Sequence, residues 1–410
     1  MEAVVPARLG TGFRWLLASS WVSNLGDGLM VAAGPLLVAS QSRNPLLVAA
    51  AAMSSQVPWL LFGLVAGALA DRLDRRLIVI VVDSLRAIVL AGLCGVIVTG
   101  RVDIALVLVA MFALGTAEVF ADATMGTLAP MLVDKADLGI ANARIMTGLV
   151  TVNQLIGPAL GAFLFAVGMA VPFTVQAVCV ALGAVLIGRI GTPRGAVREH
   201  VDTHVRHDIV EGVRWLMRHR PVRTLALVIV TFNITWAAPW SVLVLWALQR
   251  VGIDEAGFGL LTSTAAAGGL LATVSYGWLE RRVPLARLMR MALLCEVVFH
   301  LLMALTTSPW TAYPLMFFFG AYAFVWGTLS NAVRQRAVPT AFQGRVGSVY
   351  IICVMGGMLL GSLLGGLIAH QWGLVAPWWF AFVGAGLTLV LVWRELGHIA
   401  HADEESSVEV

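Results

Sequence analysis

The stretch at residues 67–76 reads GALADRLDRR and interrupts an otherwise apolar sequence. Long hydrophobic segments lie on its two sides, at about 46–70 and 77–99. A related stretch, GWLERR, occurs at residues 277–282, again after a long apolar segment. A helix that crosses the hydrocarbon core of a bilayer needs about 20 apolar residues. Long apolar segments joined by short polar loops therefore predict a polytopic α-helical membrane protein.

The composition of the whole chain supports this interpretation. Of 410 residues, 59% are hydrophobic and 12% are charged, and the mean hydropathy is +0.88. A soluble domain carries about 25% charged residues because its surface contacts water, so here the surface must suit lipid. Apolar windows predict twelve spans, at about 13–39, 46–70, 77–99, 103–124, 140–168, 171–190, 224–249, 257–279, 286–307, 311–333, 343–370 and 375–395.

The positions of Lys and Arg predict the orientation of these spans. With both termini in the cytoplasm, 23 of the 27 basic residues fall on the inner side. Arg43, Arg101 and Arg250 fall outside, and Arg86 lies within the third span. Because basic loops stay on the cytoplasmic side, we expect a multi-pass protein of the cell membrane (plasma or inner) with both ends inside.

The chain also repeats itself at about half its length. Residues 67–72 match 277–282, Gly157-Pro-Ala-Leu-Gly161 matches 361–365, and Asn24 matches Asn233. Internal repeats of this kind are typical of transporters built from two related bundles. We predict an N-terminal six-helix bundle at 1–190, a cytoplasmic Arg/His-rich linker at 191–223, a C-terminal six-helix bundle at 224–395 and an acidic cytoplasmic tail at 396–410. An amphipathic helix on anionic lipid is the favoured interpretation of the linker.

Three of these motifs resemble signatures of a known family. Residues 67–76 resemble the loop between helices two and three of the major facilitator superfamily. Residues 157–161 resemble the core of the fifth-helix motif of its antiporters. The first span, with Ser23-Asn24-Leu25-Gly26-Asp27-Gly28, is similar to the efflux subgroup that contains macrolide exporters and enterobactin-type siderophore exporters. The resemblance implies an all-α membrane protein with twelve transmembrane helices in two pseudo-symmetric six-helix bundles, acting as a transporter and not as an enzyme.

The resemblance also implies a gating role for the loop and a bend in span five. Asp71 would meet the N-terminal end of span eleven, where the helix dipole favours an anion, and Asp122 would pair with Arg75 or Arg76. A plain positively charged loop is the alternative, but such a loop needs no Asp. The expected gating residues are Gly67, Asp71, Arg72, Arg75, Arg76 and Asp122. The helix-five residues are Gly157, Pro158 and Gly161, where a packing kink and a hinge are compatible interpretations.

Asp27 is the strongest candidate for proton coupling. It falls near the middle of the first span, where an ionised carboxylate is costly and a proton is readily bound. Glu118 is a second candidate, because it shares a helical face with Asp122 four residues later. The alternatives are a hydrogen-bonded structural role for Asp27 and a structural ion pair for Glu118.

Two further pairs of polar residues lie within apolar spans. Asp83 and Arg86 are three residues apart on span three, and mutual neutralisation is the favoured interpretation. Glu296 and His300 are four residues apart on span nine, where an internally satisfied pair is favoured over a proton relay.

Aromatic, Met and amide side chains on the spans expected to line a central cavity suit a bulky amphipathic ligand. Trp236 and Trp240, which share a face around Pro239, are the leading pair. The full set of predicted cavity residues is Asn24, Gln56, Trp59, Met111, Phe112, Asn153, Gln154, Asn233, Trp236, Trp240, Tyr322, Trp326, Tyr350 and Met355.

These observations favour a proton-coupled antiporter that exports drugs or siderophore-like molecules by alternating access. An importer or a lipid flippase on the same fold is the alternative, and a membrane receptor or scaffold is disfavoured by the buried Asp27. The sequence has no Gly-rich phosphate loop with a Lys, so ATP is not expected as the energy source. We predict no cofactor and no metal. The expected partners of this monomer are a small-molecule substrate, protons and membrane lipids, without nucleic acid.

Overall fold

The computed structural model describes residues 7–191, 205–339 and 342–396. Within these ranges the chain forms helices joined by short connections, with no β-strand. The helices of ten residues or more are α1 (Gly10–Gln41), α2 (Pro45–Arg72), α3 (Arg75–Val98), α4 (Ile104–Leu132), α5 (Lys135–Val167), α6 (Val171–Gly188), α7 (Val205–Arg218), α8 (Arg220–Trp240), α9 (Glu255–Arg282), α10 (Leu285–Leu305), α11 (Pro309–Ala337), α12 (Gln343–Trp372) and α13 (Ala376–Val392). Short helical segments at Leu243–Leu245 and Trp246–Val251 follow α8.

Length and composition allow most of these helices to cross a membrane. Eleven of the helices in the described ranges are long and apolar enough, and α13 is a shorter apolar helix. Helix α7 is the polar exception. The prediction of an all-α membrane protein with twelve spans is confirmed. Helix α8 begins at Arg220, and the apolar span within it is Val222–Trp240, beside the predicted start of span seven at about 224.

The chain divides into two compact units. The N-terminal unit comprises Met1–Glu199 with Ile253–Ser263, and the C-terminal unit comprises His200–Gly252 with Thr264–Val410. The start of α9 thus belongs to the first unit, although the sequence repeat assigns it to the second bundle. Of the predicted linker, residues 192–204 lie outside the described ranges, as do residues 397–410 of the predicted tail.

The same helix pairs are packed together within each unit. In the N-terminal unit α1 packs on α5 and α6, and α3 packs on α4 and α6. In the C-terminal unit α8 packs on α12 and α13, and α10 packs on α11 and α13. If the helices of each bundle are numbered from one to six, both units pair helix one with helices five and six, and helix three with helices four and six. The internal repeat read from the sequence therefore corresponds to a repeated packing scheme.

Small residues allow the closest of these contacts. In the N-terminal unit a Cβ on Gly28 of α1 would lie 2.6 Å from the carbonyl oxygen of Asn153 in α5, and Gly161 lies directly against the backbone of Leu29. In the C-terminal unit Gly361 and Gly365 of α12 lie in the same way against the α8 backbone, at Ile234 and Ala238. Membrane helices gain packing energy from such close approach.

Helix α5 is irregular just before its proline. Residues Leu149–Ile156 form a π-helical segment that leads into Gly157 and Pro158. Proline has no N–H to donate and its ring displaces the carbonyl one turn earlier, so a local widening of the helix is the expected response. The segment carries Asn153 and Gln154, two of the predicted cavity residues.

Helix α7 is amphipathic and packs on the other helices of the C-terminal unit. Leu216 is buried in the core of that unit, and Trp215 stacks on Phe342 with ring centroids 5.7 Å apart. Glu211 forms an ion pair with Arg345 at 3.0 Å. The expected amphipathic helix of the linker is therefore present, and its binding to anionic lipid remains a prediction.

We expect Gly161→Ala to destabilise the protein and Gly92→Ala to leave it unchanged or slightly more stable. Both substitutions raise helix propensity by about 1 kcal/mol. Only Gly161 is packed against another backbone, whereas a Cβ on Gly92 meets nothing within 4 Å. Overpacking costs about 1–3 kcal/mol, so thermal unfolding in detergent should show a lower midpoint for Gly161→Ala alone. Equal midpoints for the two variants would contradict the packing role of Gly161.

Candidate functional site

A buried guanidinium organises the polar interior of the N-terminal unit. Arg86 of α3 is 3% exposed, and its Nη2 forms an ion pair with Oδ1 of Asp27 in α1. Its Nη1 lies 3.3 Å from Oδ1 of Asp83, one turn earlier on α3. The sequence interpretation paired Arg86 with Asp83 alone. The structure shows one cation between two carboxylates, joining α1 to α3.

Polar atoms from α6 complete the surroundings of Asp27. Gln176 is buried and its Nε2 donates to Asp27 Oδ1 at 3.3 Å. Two nearby oxygens, Gln176 Oε1 and Ser23 Oγ, are buried without a hydrogen-bond partner among the described residues. Gly183 of α6 leaves room here, since a Cβ would lie 2.6 Å from Ser23 Oγ and 3.7 Å from Asp83 Oδ2.

Two more acids, Glu118 and Asp122 of α4, belong to the same electrostatic cluster. Glu118 interacts with the charges of Asp27, Arg86 and Asp122, and Asp122 interacts with those of Asp27, Arg86 and Asp83. Their side chains become progressively more accessible, because Asp83 is buried, Asp27 and Glu118 are half-buried and Asp122 is exposed. The acids thus extend from the bundle interior to an accessible surface.

The charges in this Arg86 cluster do not balance. Among the described side chains it contains four carboxyl groups (Asp27, Asp83, Glu118 and Asp122) and one guanidinium, that of Arg86. Buried charges are tolerated when paired, and a surplus of like charges in a low-dielectric interior favours protonation of some of them. Asp27 is the carboxylate that Arg86 ties to a second helix.

The basic residues of the signature loop donate to carbonyl groups at the ends of α2 and α6. Arg75 Nε donates to the carbonyl of Ala70 at 2.9 Å, and Arg76 Nη2 donates to the carbonyl of Gly188. Asp74 caps α3 by accepting from the N–H of Arg76 at 2.9 Å.

The gating role of the loop stays a prediction. The side chains of Asp71 and Arg72 lie outside the described part of the structure. Gly67 has open space around the position of a Cβ. The pairing of Asp122 with Arg75 or Arg76 also stays a prediction.

The predicted cavity residues of the N-terminal unit are mostly half-buried. Asn24 donates to the carbonyl of Ser20 at 2.8 Å, on its own helix. Asn153 packs its backbone on Gly28 of α1. Phe112 and Gln154 are exposed, and the half-buried members are Asn24, Gln56, Trp59, Met111 and Asn153.

In the C-terminal unit the leading aromatic pair forms a stacked surface. Trp236 and Trp240 of α8 are half-buried, with ring centroids 5.0 Å apart, and Trp240 lies 4.6 Å from Phe319 of α11. Asn233 donates to the carbonyl of Ile229 at 2.8 Å, which repeats the bond of Asn24 in α1. Met355 is half-buried.

Three other predicted cavity residues belong to the interior of the C-terminal unit. Trp326 stacks on Phe232 at 5.9 Å, and Tyr350 lies beneath the guanidinium of Arg334 at 4.9 Å. Both are buried in one hydrophobic core. Tyr322 is buried and its hydroxyl donates to Glu296 Oε2 at 2.6 Å. Helical periodicity could pair Glu296 with His300 but could not identify a partner on another helix.

We expect Arg86→Gln to destabilise the folded protein strongly. Removing one partner of a buried ion pair leaves the remaining charges uncompensated and costs about 3–5 kcal/mol. Thermal unfolding in detergent should show a large drop for Arg86→Gln and partial recovery when Asp83→Asn is added. Arg336→Gln is the control, because Arg336 and its partner Glu280 are both exposed and 4.0 Å apart. Similar stability of the Arg86 and Arg336 variants would contradict the central role of Arg86.

Comparisons with known proteins agree with this architecture. A family model described as transmembrane secretion effector matches residues 3–408. The chain is 27% identical to the multidrug efflux pump Tap of Mycolicibacterium fortuitum, over 92% of this chain and 93% of that protein. It is 26% identical to the multidrug efflux pump Tap of Mycobacterium tuberculosis, over 88% of each.

Solved structures of transporters share the fold. An inward-facing bacterial homologue of the iron transporter ferroportin matches with a TM-score of 0.76 and 16% identity, over 95% of this chain and 98% of that chain. The nucleoside transporter NupG matches with a TM-score of 0.69 and 14% identity, over 95% and 99%. Because the family model covers nearly the whole chain, the protein belongs to the transmembrane secretion effector family of the major facilitator superfamily.

Proposed function

We propose that the protein is a proton-coupled antiporter that exports small amphipathic molecules across the cell membrane. The observation that carries the proposal is the excess of carboxyl groups around Arg86 in the N-terminal unit. A membrane transporter has little reason to hold several partly buried acids beside one cation unless their protons are exchanged. The similarity to multidrug efflux pumps favours export.

A proton on Asp27 changes the connection between α1 and α3. The ionised carboxylate accepts hydrogen bonds from Arg86 and Gln176. Protonation removes the charge that attracts Arg86 and leaves the guanidinium with Asp83 as its remaining charged partner in that contact. The α1–α3 contact therefore depends on proton binding, and this dependence could couple protonation to a conformational change.

The available driving force is sufficient for useful export. A membrane potential of 100 mV supplies about 2.3 kcal/mol for each charge that crosses. This free energy corresponds to roughly a fifty-fold concentration ratio of substrate. We propose that the two units open alternately to the two sides of the membrane, with both termini in the cytoplasm, as the distribution of basic residues indicates. A monomer in the lipid bilayer, exchanging substrate for protons, is the working unit of this mechanism.

We expect Asp27→Asn to abolish concentrative transport while downhill equilibration of substrate continues. Asn keeps the size of the side chain and an oxygen acceptor but cannot exchange a proton at physiological pH. The measurement is accumulation of ethidium in liposomes that contain the purified protein and have an acidic interior. Asp134→Asn, in the exposed connection after α4, is the matched control.

Each outcome of this experiment has a definite meaning. Wild-type protein and the Asp134 variant should accumulate ethidium against its gradient, and this accumulation should collapse when a protonophore is added. Concentrative uptake by Asp27→Asn at the wild-type rate would eliminate Asp27 as the coupling residue. Uptake by the wild type only with an alkaline interior would reverse the proposed direction relative to protons and support substrate–proton symport.

The aromatic surface of the C-terminal unit suits a flat or cationic substrate. Trp236, Trp240 and Phe319 form a continuous series of ring contacts on α8 and α11. Indole rings attract cations through their faces and also bury large apolar area. We propose that this surface contributes to the binding of amphipathic cations.

We expect Trp240→Ala to weaken ethidium binding by roughly tenfold, because loss of one cation–π or stacking contact costs about 1–2 kcal/mol. Fluorescence titration of the purified protein measures the affinity. Trp310→Ala is the matched control, since Trp310 is 86% exposed at the start of α11. Equal losses in the two variants, or no loss at Trp240, would remove this surface from the proposed binding site.

A further inference from the structure

We propose that the C-terminal unit contains a second proton site, formed by Glu296, His300 and Tyr322. We further propose that this site exchanges its proton for an amphipathic cation bound at Trp236 and Trp240. The cation-exchange part rests on the proposed transport function. Proton binding by the three residues rests on their own geometry.

The three side chains form a closed hydrogen-bonded group in the interior. Glu296 and His300 of α10 are 1% and 0% exposed, and Tyr322 of α11 is also buried. His300 Nε2 lies 2.8 Å from Glu296 Oε1, and the Tyr322 hydroxyl lies 2.6 Å from Glu296 Oε2. His300 Nδ1 is buried and has no hydrogen-bond partner in the described part of the chain.

The number of hydrogen-bond contacts explains why this group can exchange a proton. Its two contacts hold two protons, one between His300 and Glu296 and one between Tyr322 and Glu296. In that state each of the two protons lies in a hydrogen bond, but the group carries one net negative charge in an apolar interior. A third proton neutralises the group but leaves one N–H or O–H without an acceptor. The two-proton state thus has a buried net charge and an unpaired Nδ1 acceptor, and the three-proton state has an unpaired donor.

No guanidinium or ammonium compensates this carboxylate among the described neighbours. Cys295 is the additional titratable group that acts on the Glu296–Tyr322 pair. A narrow cleft beside Glu296 is lined by uncharged residues of α8, α10 and α13, namely Val228, Phe232, Thr235, Leu293, Ala385 and Thr388. On α13, Trp378 also packs near His300, with ring centroids 5.9 Å apart. This environment differs from that of Asp27, whose charge is offset by Arg86.

The internal repeat places this site at the position that Arg86 occupies in the other bundle. Arg86 and Glu296 are separated by the same 210 positions as Gly67 and Gly277. Both lie on equivalent helices, α3 and α10, which pack on equivalent neighbours. One bundle thus buries a cation at this position and the other buries an acid. A buried charge at the same position of both bundles supports a functional role for it.

Ring contacts connect the group to the aromatic surface. Tyr322 packs edge-on against Phe319 at 5.6 Å, and Phe299 stacks on Phe319 at 4.9 Å. Phe319 in turn lies 4.6 Å from Trp240. A negative charge behind these rings strengthens their attraction for a cation, because electrostatic interactions are weakly screened in an apolar interior. Binding of a cation at Trp236 and Trp240 should therefore favour release of the third proton.

The experiment measures proton release when ethidium binds to the purified full-length protein in weakly buffered detergent solution. By linkage, Glu296→Gln should release about one proton fewer per bound ethidium than the wild type. Glu280→Gln, on the exposed end of α9, is the matched control and should release the wild-type number. The Asp27→Asn variant should still release the proton that comes from Glu296 when ethidium binds.

A second variant covers the case in which Glu296→Gln fails to fold. Tyr322→Phe keeps the ring and the carboxyl group but removes one donor to the carboxylate. The third proton should then be held more tightly, so half-maximal ethidium binding should move to higher pH. A purely structural tyrosine would lower stability without moving this midpoint.

The possible failures are distinguishable. Undiminished proton release by folded Glu296→Gln, or an unmoved pH midpoint in Tyr322→Phe, would overturn the second site while proton-driven export by the wild type remained intact. Absence of ethidium binding to the wild type would overturn cation exchange at this site. Wild-type binding without any proton release, together with no response of transport to a pH gradient, would overturn the proposed antiport as well.

Discussion

The structure depends on the high free energy of a charge buried among helices that are themselves surrounded by lipid. Arg86 meets this constraint by joining Asp27 on α1 to Asp83 on α3, with Gln176 of α6 as an additional donor to Asp27. Asp27 thus connects α1 to α3 through Arg86 and to α6 through Gln176. Because each carboxylate can lose its charge by taking up a proton, the interaction that holds the helices together is also sensitive to protons. In the proposed antiport, stability and coupling are therefore properties of the same atoms.

The backbone packing of the two units is similar, whereas their polar interiors differ. Gly28 and Gly161 bring α1 close to α5, and Gly361 and Gly365 bring α12 close to α8 in the same manner. Asn24 and Asn233 bond to the preceding turn of their own helices in both units. Such contacts involve backbone atoms and depend little on the rest of the sequence. The charged positions are free to diverge on this common scaffold, so one bundle contains an arginine with several acids and the other contains a glutamate with histidine and tyrosine.

The sequence allows prediction of features that depend on composition and on position within one helix. Twelve spans, the all-α class and the pair of Glu296 with His300 follow from hydropathy and from i to i+4 spacing. Contacts between helices do not follow in this way, which is why the link from Arg86 to Asp27 and the hydroxyl of Tyr322 were not anticipated. In a membrane protein both the lipid-facing and the core-facing sides of a helix are apolar. Hydropathy alone therefore could not distinguish Trp326 and Tyr350, which are buried in the core, from residues on an accessible surface.

The proposed proton sites at Asp27 and at Glu296 also differ in the interaction that protonation would change. In the N-terminal unit a proton on Asp27 weakens its attraction to Arg86, so the main effect is on the contact between α1 and α3. In the C-terminal unit a third proton leaves the bond between Glu296 and His300 in place and removes a net charge. That change acts mainly through the electrostatic field at Phe319 and Trp240. In the proposed mechanism, the first site controls helix positions and the second controls the affinity for a cation. A transporter that exchanges substrate for protons requires both kinds of control, because coupling fails if substrate affinity and conformation respond to protons independently.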